Sequence, residues 1–153
     1  MTQPTAYNYA LNLLAARPYT TRSLHRKLIQ KEYEAADADE AIRRLVASGL
    51  LDDAKYAEQY ARSKMLTTGA SKRRLQQDLF RKGIKPEVAN EAIDAVIAQE
   101  NVDTVALVER VAKRKLAQMG GLERLVLRRR LFSFLARRGY DLDEIKSVVS
   151  RLI

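Results

Sequence analysis

Arginine residues recur at equivalent positions of a repeated helical segment, and they are the side chains in this sequence best suited to binding chemistry. The equivalent positions are Arg22, Arg73 and Arg129, then Arg74 and Arg130, then Arg81 and Arg137, which lie two turns further along. A guanidinium group suits phosphates and carboxylates because its planar fork bonds two oxygens at once and is weakly hydrated. These segments also lack the Glu–Lys pairs, four residues apart, that are typical of a purely solvating helix face. We therefore expect the seven arginines to form a face that binds an anionic partner; a face that serves only solubility is the alternative.

Catalytic and metal chemistry has few candidates. His25, the only histidine, stands beside a core leucine, and we expect it at the core boundary rather than as the base of a triad. The acidic groups Asp52-Asp53 and Asp141-x-Asp143-Glu144 could be imagined as metal ligands, but they stand where helices should begin, which favours capping. The sequence has no cysteine and no G-x-x-x-x-G-K-[ST] loop, which excludes thiolate zinc sites, cysteine nucleophiles and a phosphate-binding loop of that kind. We expect a non-enzymatic protein without a cofactor or metal site.

Three aromatic residues are candidates for stacking on nucleic-acid bases. Tyr56 and Tyr60 are four residues apart and therefore share one face of a helix. Core packing is the favoured interpretation for both tyrosines, and base stacking is the alternative. Phe80 lies near the arginine face and is a weaker stacking candidate.

The charge balance indicates an anionic partner. The 153 residues carry 28 Lys and Arg against 19 Asp and Glu, a net charge of +9, and most of the excess lies in residues 101–153. Nucleic acid, a membrane surface or an acidic protein would each fit this charge. The longest uncharged stretch, residues 2–16, is shorter than a membrane-spanning helix and contains three amide side chains. We expect a cytoplasmic protein that has no membrane partner.

The hydrophobic pattern predicts helices almost throughout. Apolar residues follow the spacing i, i+3, i+4, and no run alternates with the period of two that strands show. Six glycines and three prolines are too few for a barrel or sandwich with many tight turns. A capping box at Asp37-x-x-Glu40 indicates the start of the third helix. The predicted helices cover residues 5–16, 21–33, 37–48, 53–67, 71–82, 86–99, 102–118, 122–138 and 141–152.

These nine helices form three copies of a three-helix unit. A shift of 51 residues, followed by a further 56, brings the pair Leu24 and Leu28 onto two further leucine pairs. The same register aligns the turn segments 31–33, 82–84 and 138–140. Such units pack side by side, each against its neighbours, so we predict an all-α fold in which three tandem repeats form an elongated, curved array. The predicted units are residues 1–50, 51–100 and 101–153, and we expect a monomer.

Two groups of segments resemble the signatures of the RecX family. The central signature is similar to Gly49-Leu50-Leu51-Asp52-Asp53-Ala54-Lys55-Tyr56-Ala57, followed by Gly69 and by the stretch from Arg74 to Ile84. The C-terminal signature resembles the stretch from Arg130 to Tyr140, which reads RLFSFLARRGY, with Asp143-Glu144-Ile145 after it. Paired motifs at this spacing are specific to the family.

The resemblance covers nearly the whole chain. The stretch from Ala10 to Leu28 matches the N-terminal unit of the family. One departure is Gly69-Ala70-Ser71, where the family usually has Gly-Pro, and we expect it to soften the turn without abolishing function.

The resemblance implies a non-enzymatic negative regulator of the recombinase RecA. Such a protein would bind the filament that RecA forms on single-stranded DNA and would suppress strand exchange, ATP hydrolysis and coprotease activity. It would also bind single-stranded DNA, and double-stranded DNA as well, without sequence preference. The alternative is a sequence-specific DNA-binding regulator, because three-helix units can resemble helix-turn-helix modules.

Overall fold

Residues 2–153 are described by the computed structural model, and they form nine α-helices and no strand. The helices are α1 (Ala6–Ala16), α2 (Thr21–Gln30), α3 (Ala35–Ala47), α4 (Asp53–Thr68), α5 (Lys72–Arg81), α6 (Pro86–Gln99), α7 (Thr104–Leu116), α8 (Arg124–Arg137) and α9 (Leu142–Leu152). Each helix overlaps its predicted range, and the all-α prediction is confirmed. None of these helices is long and apolar enough to cross a membrane.

The start of α3 differs from its prediction. The capping box expected at Asp37-x-x-Glu40 is wrong, because the N-cap residue is Glu34 and it makes no side-chain capping bond. Glu32 adopts a left-handed conformation (φ 72°), which reverses the chain directly after α2 and lets the next helix begin early. Asp37 therefore lies inside the first turn, and the Glu40 carboxylate accepts hydrogen bonds from Arg43 instead.

Each set of three successive helices encloses its own hydrophobic core. We call α1–α3, α4–α6 and α7–α9 the first, second and third units; in each, the last helix packs against the first two. Leucines at equivalent positions of the middle helices are fully buried, and each contributes about 1.5–3 kcal/mol by leaving water. These residues are Leu24, Leu28, Leu75, Leu79, Leu131 and Leu135.

The molecule exposes more surface than a compact domain of its mass. Its accessible surface is 9718 Å², whereas a compact monomer of 17.4 kDa would expose about 7,900 Å². The closest helix–helix packing falls within the units. The three units therefore form an elongated array, as the repeat predicts.

A hydroxyl group at the start of each of the first two middle helices links one unit to the next. The Thr20 hydroxyl donates to the carbonyl oxygen of Lys82 (2.9 Å), and the Ser71 hydroxyl donates to that of Arg138 (2.7 Å). Each hydroxyl also accepts from a backbone amide of its own helix and so acts as its N-cap. Tyrosines aside, Thr20 and Ser71 are the only buried polar residues among residues 2–153. We call these two equivalent contacts the first and second joints.

A glycine with a positive φ stands where each joint forms. Gly83 and Gly139 have φ values of 87° and 90°, and a Cβ on either would meet the preceding unit. At Gly83 that Cβ would overlap the Arg22 Cδ and lie 2.7 Å from the Arg22 Cβ, and at Gly139 it would lie 3.3 Å from the Arg73 Cβ. Glu32 holds the equivalent place in the first unit with a full, exposed side chain, so the turn alone does not demand glycine.

The second joint has additional hydrogen bonds at the C-terminal end of α4. Carbonyl groups in the last turn of a helix have no partner within it, and cationic donors there also complement the helix dipole. The Arg138 guanidinium donates to the carbonyl oxygen of Thr68 (2.9 Å), and the Tyr140 hydroxyl donates to that of Gly69. Side chains of the third unit therefore complete a helix of the second.

We predict that Gly83→Ala destabilises the protein more than Gly49→Ala does. The two residues have similar φ values of 87° and 79°, so the strain of placing a Cβ in the left-handed region is common to both. Only the new Cβ at residue 83 meets a neighbour, and because the Arg22 Cβ is part of that contact, rotation of the side chain does not relieve it. The overpacking should cost a further ~1–3 kcal/mol.

Thermal unfolding followed by circular dichroism measures this difference. Gly49→Ala is the matched control, because no atom lies within 4 Å of the position that its new methyl group would take. Equal melting temperatures for the two variants would contradict the close approach at the first joint.

Candidate anion-binding site

All seven arginines of the predicted face are exposed, but they do not share one environment. Arg22 and Arg73 extend their side chains across Gly83 and Gly139, so part of each is packed at a joint. The other five lie on α5 and α8: Arg74, Arg81, Arg129, Arg130 and Arg137.

Two arginines of α5, Arg74 and Arg81, are paired with one acidic residue. Asp78 Oδ1 accepts from Arg74 Nε at 3.1 Å and also from Arg81 Nη2, while Asp78 Oδ2 accepts from the Tyr60 hydroxyl at 2.9 Å. The lack of Glu–Lys pairs in the sequence did not reveal this Arg–Asp–Arg arrangement, which uses other residue types. Because one carboxylate already faces both guanidinium groups, α5 is less suited than α8 to hold another anion.

The arginines of α8 line a cavity without a carboxylate. Phe134 holds the place that Asp78 has on α5, and a cavity of about 420 Å³ opens beside it. Its lining residues are Lys115, Met119, Arg129, Arg130, Ser133, Phe134 and Arg137. Four cationic side chains around one concave surface can neutralise a phosphate or carboxylate and bond it through forked guanidinium groups. We call this feature the cationic cavity.

Lys115 is a candidate residue of this cavity that the sequence analysis did not name. It lies in the last turn of α7, whose basic residues complement the helix dipole there. Its Nζ lies 4.8 Å from the centroid of the Phe134 ring, and the Arg138 Cζ lies 5.7 Å from the same centroid. The aligned register could have indicated Phe134, which replaces an acid, but Lys115 reaches the cavity only through tertiary packing.

His25, Asp52 and Asp141 have structural partners. His25 Nε2 lies 2.8 Å from Asp39 Oδ1 in a surface contact between α2 and α3. Asp52 and Asp141 accept hydrogen bonds from amides in the first turns of α4 and α9, which confirms the capping interpretation for these two residues, whereas Asp53 accepts from the Thr21 amide of α2. Among residues 2–153, no three His, Cys, Asp or Glu side chains are grouped to hold a metal ion.

The two tyrosines of α4 are stacked on each other. The ring centroids of Tyr56 and Tyr60 are 6.3 Å apart, with an angle of 11° between the ring planes. Both rings are half-buried against the core of the second unit, as expected, and each keeps an exposed part. Burial of the Tyr60 phenol and its hydrogen bond to Asp78 raise the pKa of Tyr60 to about 12. Phe80 is exposed on α5.

Comparison with known proteins assigns the three units in order. Three domains of one family match the chain: the first three-helix domain of RecX over residues 6–45, the second over 52–93 and the third over 102–149. The chain belongs to the RecX family.

Relatives in this family align over nearly the full chain. A regulatory protein RecX from Mycobacterium sp. (strain KMS) is 37% identical over 147 residues, which cover 95% of this chain and 80% of the relative. The regulatory protein RecX of Trichlorobacter lovleyi is 36% identical over 152 residues and 97% of each chain. The crystal structure of RecX from Lactobacillus salivarius is 23% identical and has the same fold, with a TM-score of 0.84 over 96% of this chain and 94% of that one.

We predict that Asp78→Asn lowers the pKa of Tyr60 from about 12. The substitution removes the negative charge that disfavours the phenolate, while burial continues to raise the pKa. The absorbance of tyrosine is titrated at alkaline pH for the wild-type protein and for Asp78→Asn, each with and without Tyr60→Phe. Subtracting the curve with Tyr60→Phe from the curve without it isolates the ionisation of the Tyr60 phenol. An unchanged difference curve in Asp78→Asn would contradict the contact between Tyr60 and Asp78.

The raised pKa of Tyr60 also determines how its contribution to stability depends on pH. The pKa of Tyr60 lies above the value of about 10 for an unfolded tyrosine, so the unfolded chain loses this proton first. The contribution of Tyr60 to stability is therefore fully present below pH ~10 and declines as the pH rises towards ~12.

Proposed function

We propose that this protein is a negative regulator of RecA that binds the filament RecA forms on single-stranded DNA and inhibits its recombinase, ATPase and coprotease activities. The observation that carries the proposal is the cationic cavity, where three arginines and a lysine converge without a carboxylate. Membership of a family whose relatives are named regulatory proteins supports a regulatory role.

The cavity provides the chemistry for binding such a filament. Its arginines can bond phosphate oxygens of the DNA strand or carboxylates on the RecA surface through two parallel hydrogen bonds. The excess positive charge of residues 101–153 attracts either group over longer distances and accelerates the encounter. An elongated array can also follow a filament over a greater length than a compact domain could.

The proposed mode of action is binding without catalysis. The protein would act in the cytoplasm as a monomer, without a cofactor or metal ion. Phosphate contacts carry no sequence information, so binding to single-stranded or double-stranded DNA would show no sequence preference. A large preference for one duplex site would instead favour a sequence-specific DNA-binding regulator.

We predict that Arg129→Ala/Arg130→Ala/Arg137→Ala inhibits the DNA-dependent ATPase of RecA at least about tenfold less well than the wild-type protein. The variant removes three of the four cations of the cationic cavity. Exposed substitutions of this kind change stability by only about ±0.5 kcal/mol each, so the fold should persist. The measurement is the concentration needed for half-inhibition, alongside helicity and melting temperature.

A charge-matched variant controls for the loss of three positive charges. Arg26→Ala/Lys85→Ala/Lys146→Ala removes one exposed cation from each unit, outside the cationic cavity. It should inhibit almost as well as the wild-type protein. An equal loss of inhibition in both triple variants would show that net charge, rather than the cavity, is responsible. A wild-type protein that does not inhibit RecA would refute the proposed function.

The paired arginines of α5 offer an internal comparison. Arg74→Ala/Arg81→Ala should weaken inhibition less than removal of any two cavity arginines, because Asp78 already neutralises part of their charge. A larger loss from the α5 pair would place the main contact on the second unit.

A further inference from the structure

A second cleft lies beside the first joint. It runs between the end of α1, with the turn after it, and the N-terminal half of α4, and it comprises a cavity of about 550 Å³ and an adjoining one of about 290 Å³. The two cavities share the lining residues Arg17, Pro18, Tyr56 and Gln59, so they form one continuous groove. We call this groove the tyrosine cleft.

Aromatic rings are the first distinctive feature of the tyrosine cleft. Tyr56 lines both cavities, Tyr19 lines the larger one and Tyr60 lines the smaller one. Because Tyr56 and Tyr60 are nearly parallel, they present a stacked pair of rings along α4. A flat aromatic surface of this kind suits another planar ring.

Cations surround these rings. The Lys82 Nζ lies 5.2 Å from the Tyr60 ring centroid and 6.0 Å from that of Tyr56, and the Arg17 Cζ lies 4.2 Å from the Tyr19 ring centroid. Lys55 lines the larger cavity as well.

The carboxylates close to the cleft already have partners. Asp52 lines the larger cavity, and its carboxylate accepts from the Lys55 backbone amide as the cap of α4. Asp78 accepts from Tyr60 and is paired with Arg74 and Arg81 of α5. The cleft is therefore both aromatic and positively charged.

The cleft beside the second joint has a different lining. That cavity, of about 400 Å³, is lined by the apolar residues Met65, Leu107 and Val108, by the carboxylates of Asp141 and Glu144, by the cations Lys72 and Arg73, and by Tyr140. One oxygen of Glu144 is buried there without a hydrogen-bond partner, which would disfavour an incoming anion. The stacked pair of tyrosines in the first cleft is thus not repeated in the second, whose lining contains the single tyrosine Tyr140.

We propose that the tyrosine cleft binds single-stranded nucleic acid, with a base stacked on Tyr56 and flanking phosphates contacting Arg17, Lys55 and Lys82. Every base has a π-face, and every nucleotide carries one negative charge, so alternating rings and cations match a single strand without reading its sequence. In a duplex the bases are stacked on one another and cannot reach such a groove. This inference deepens the proposed function because it names the part of the filament that the first two units contact. It rests on the proposed function for the source of the strand, which is the DNA of the filament.

Binding to oligodeoxythymidine in the absence of RecA tests this inference. The affinity of the wild-type protein is compared, by anisotropy of a labelled end, with its affinity for an abasic strand of equal length and charge. Base stacking should make the base-bearing strand bind at least about fivefold more tightly. The sequence has seven tyrosines and no tryptophan, so the base-bearing strand should also quench the intrinsic tyrosine fluorescence of the protein.

Variants then locate the stacking contact. Tyr56→Leu should remove most of the preference for bases, whereas Tyr56→Phe keeps a ring and should retain it. Tyr7→Leu, which alters a half-buried tyrosine of the first unit outside the cleft, is the control. Because Tyr56 packs against a core, Lys55→Glu provides a second test: it places an anion in the cleft from an exposed position and should weaken binding more than Lys85→Glu.

The result that overturns the inference is equal affinity of the wild-type protein for the two strands. A preference for bases that survives in folded Tyr56→Leu would also overturn it, and so would equal effects of Lys55→Glu and Lys85→Glu. The cationic cavity gives a separate readout. In Arg129→Ala/Arg130→Ala/Arg137→Ala, the slope of log affinity against log salt concentration should become shallower by about 0.7 for each phosphate that the variant no longer neutralises. The preference for bases should stay intact in this variant. Failure of RecA inhibition, in contrast, would leave this oligonucleotide comparison unaffected.

Discussion

The hydroxyl group shared between neighbouring units is the contact on which the arrangement of the molecule depends. Thr20 and Ser71 each satisfy an amide at the start of their own helix and a carbonyl at the end of the next unit's middle helix. Helix ends are where backbone groups lack partners, and a buried group left unpaired costs about 1–3 kcal/mol. These two small side chains act together with the Thr21 amide to Asp53 bond and with the bonds from Arg110, Arg138 and Tyr140 to carbonyl groups of α4 and Gly69, and all of them hold the three units in order.

The joints also decide which basic residues remain available to a partner. Arg138 donates to a carbonyl of α4, and Arg22 and Arg73 pack across the joint glycines. Asp78 engages two more arginines, whereas its counterpart Phe134 leaves Arg129, Arg130 and Arg137 of α8 without a carboxylate beside them. The repeat is therefore nearly symmetric in its cores and asymmetric on its surface, which concentrates the candidate anion-binding groups on the third unit and beside the first joint.

Sequence alone predicted what depends on local pattern. Helical periodicity, the leucines of the middle helices and the exposure of the arginines follow from spacing and register, and they were predicted. The N-cap at Glu34 was missed, although the register aligns it with Lys85 and Asp141, which cap the later third helices. The cationic cavity and the tyrosine cleft could not be predicted in full, because Lys115 and Lys82 meet their aromatic neighbours through tertiary packing.

Three units that each enclose a core and whose closest helix–helix packing lies within the units should form a molecule that is extended in solution. Small-angle X-ray scattering of the monomeric protein measures this directly. The radius of gyration should exceed the value of about 15 Å expected for a compact domain of 153 residues. A radius at or below that value would show that the units collapse onto one another and would contradict the extended array.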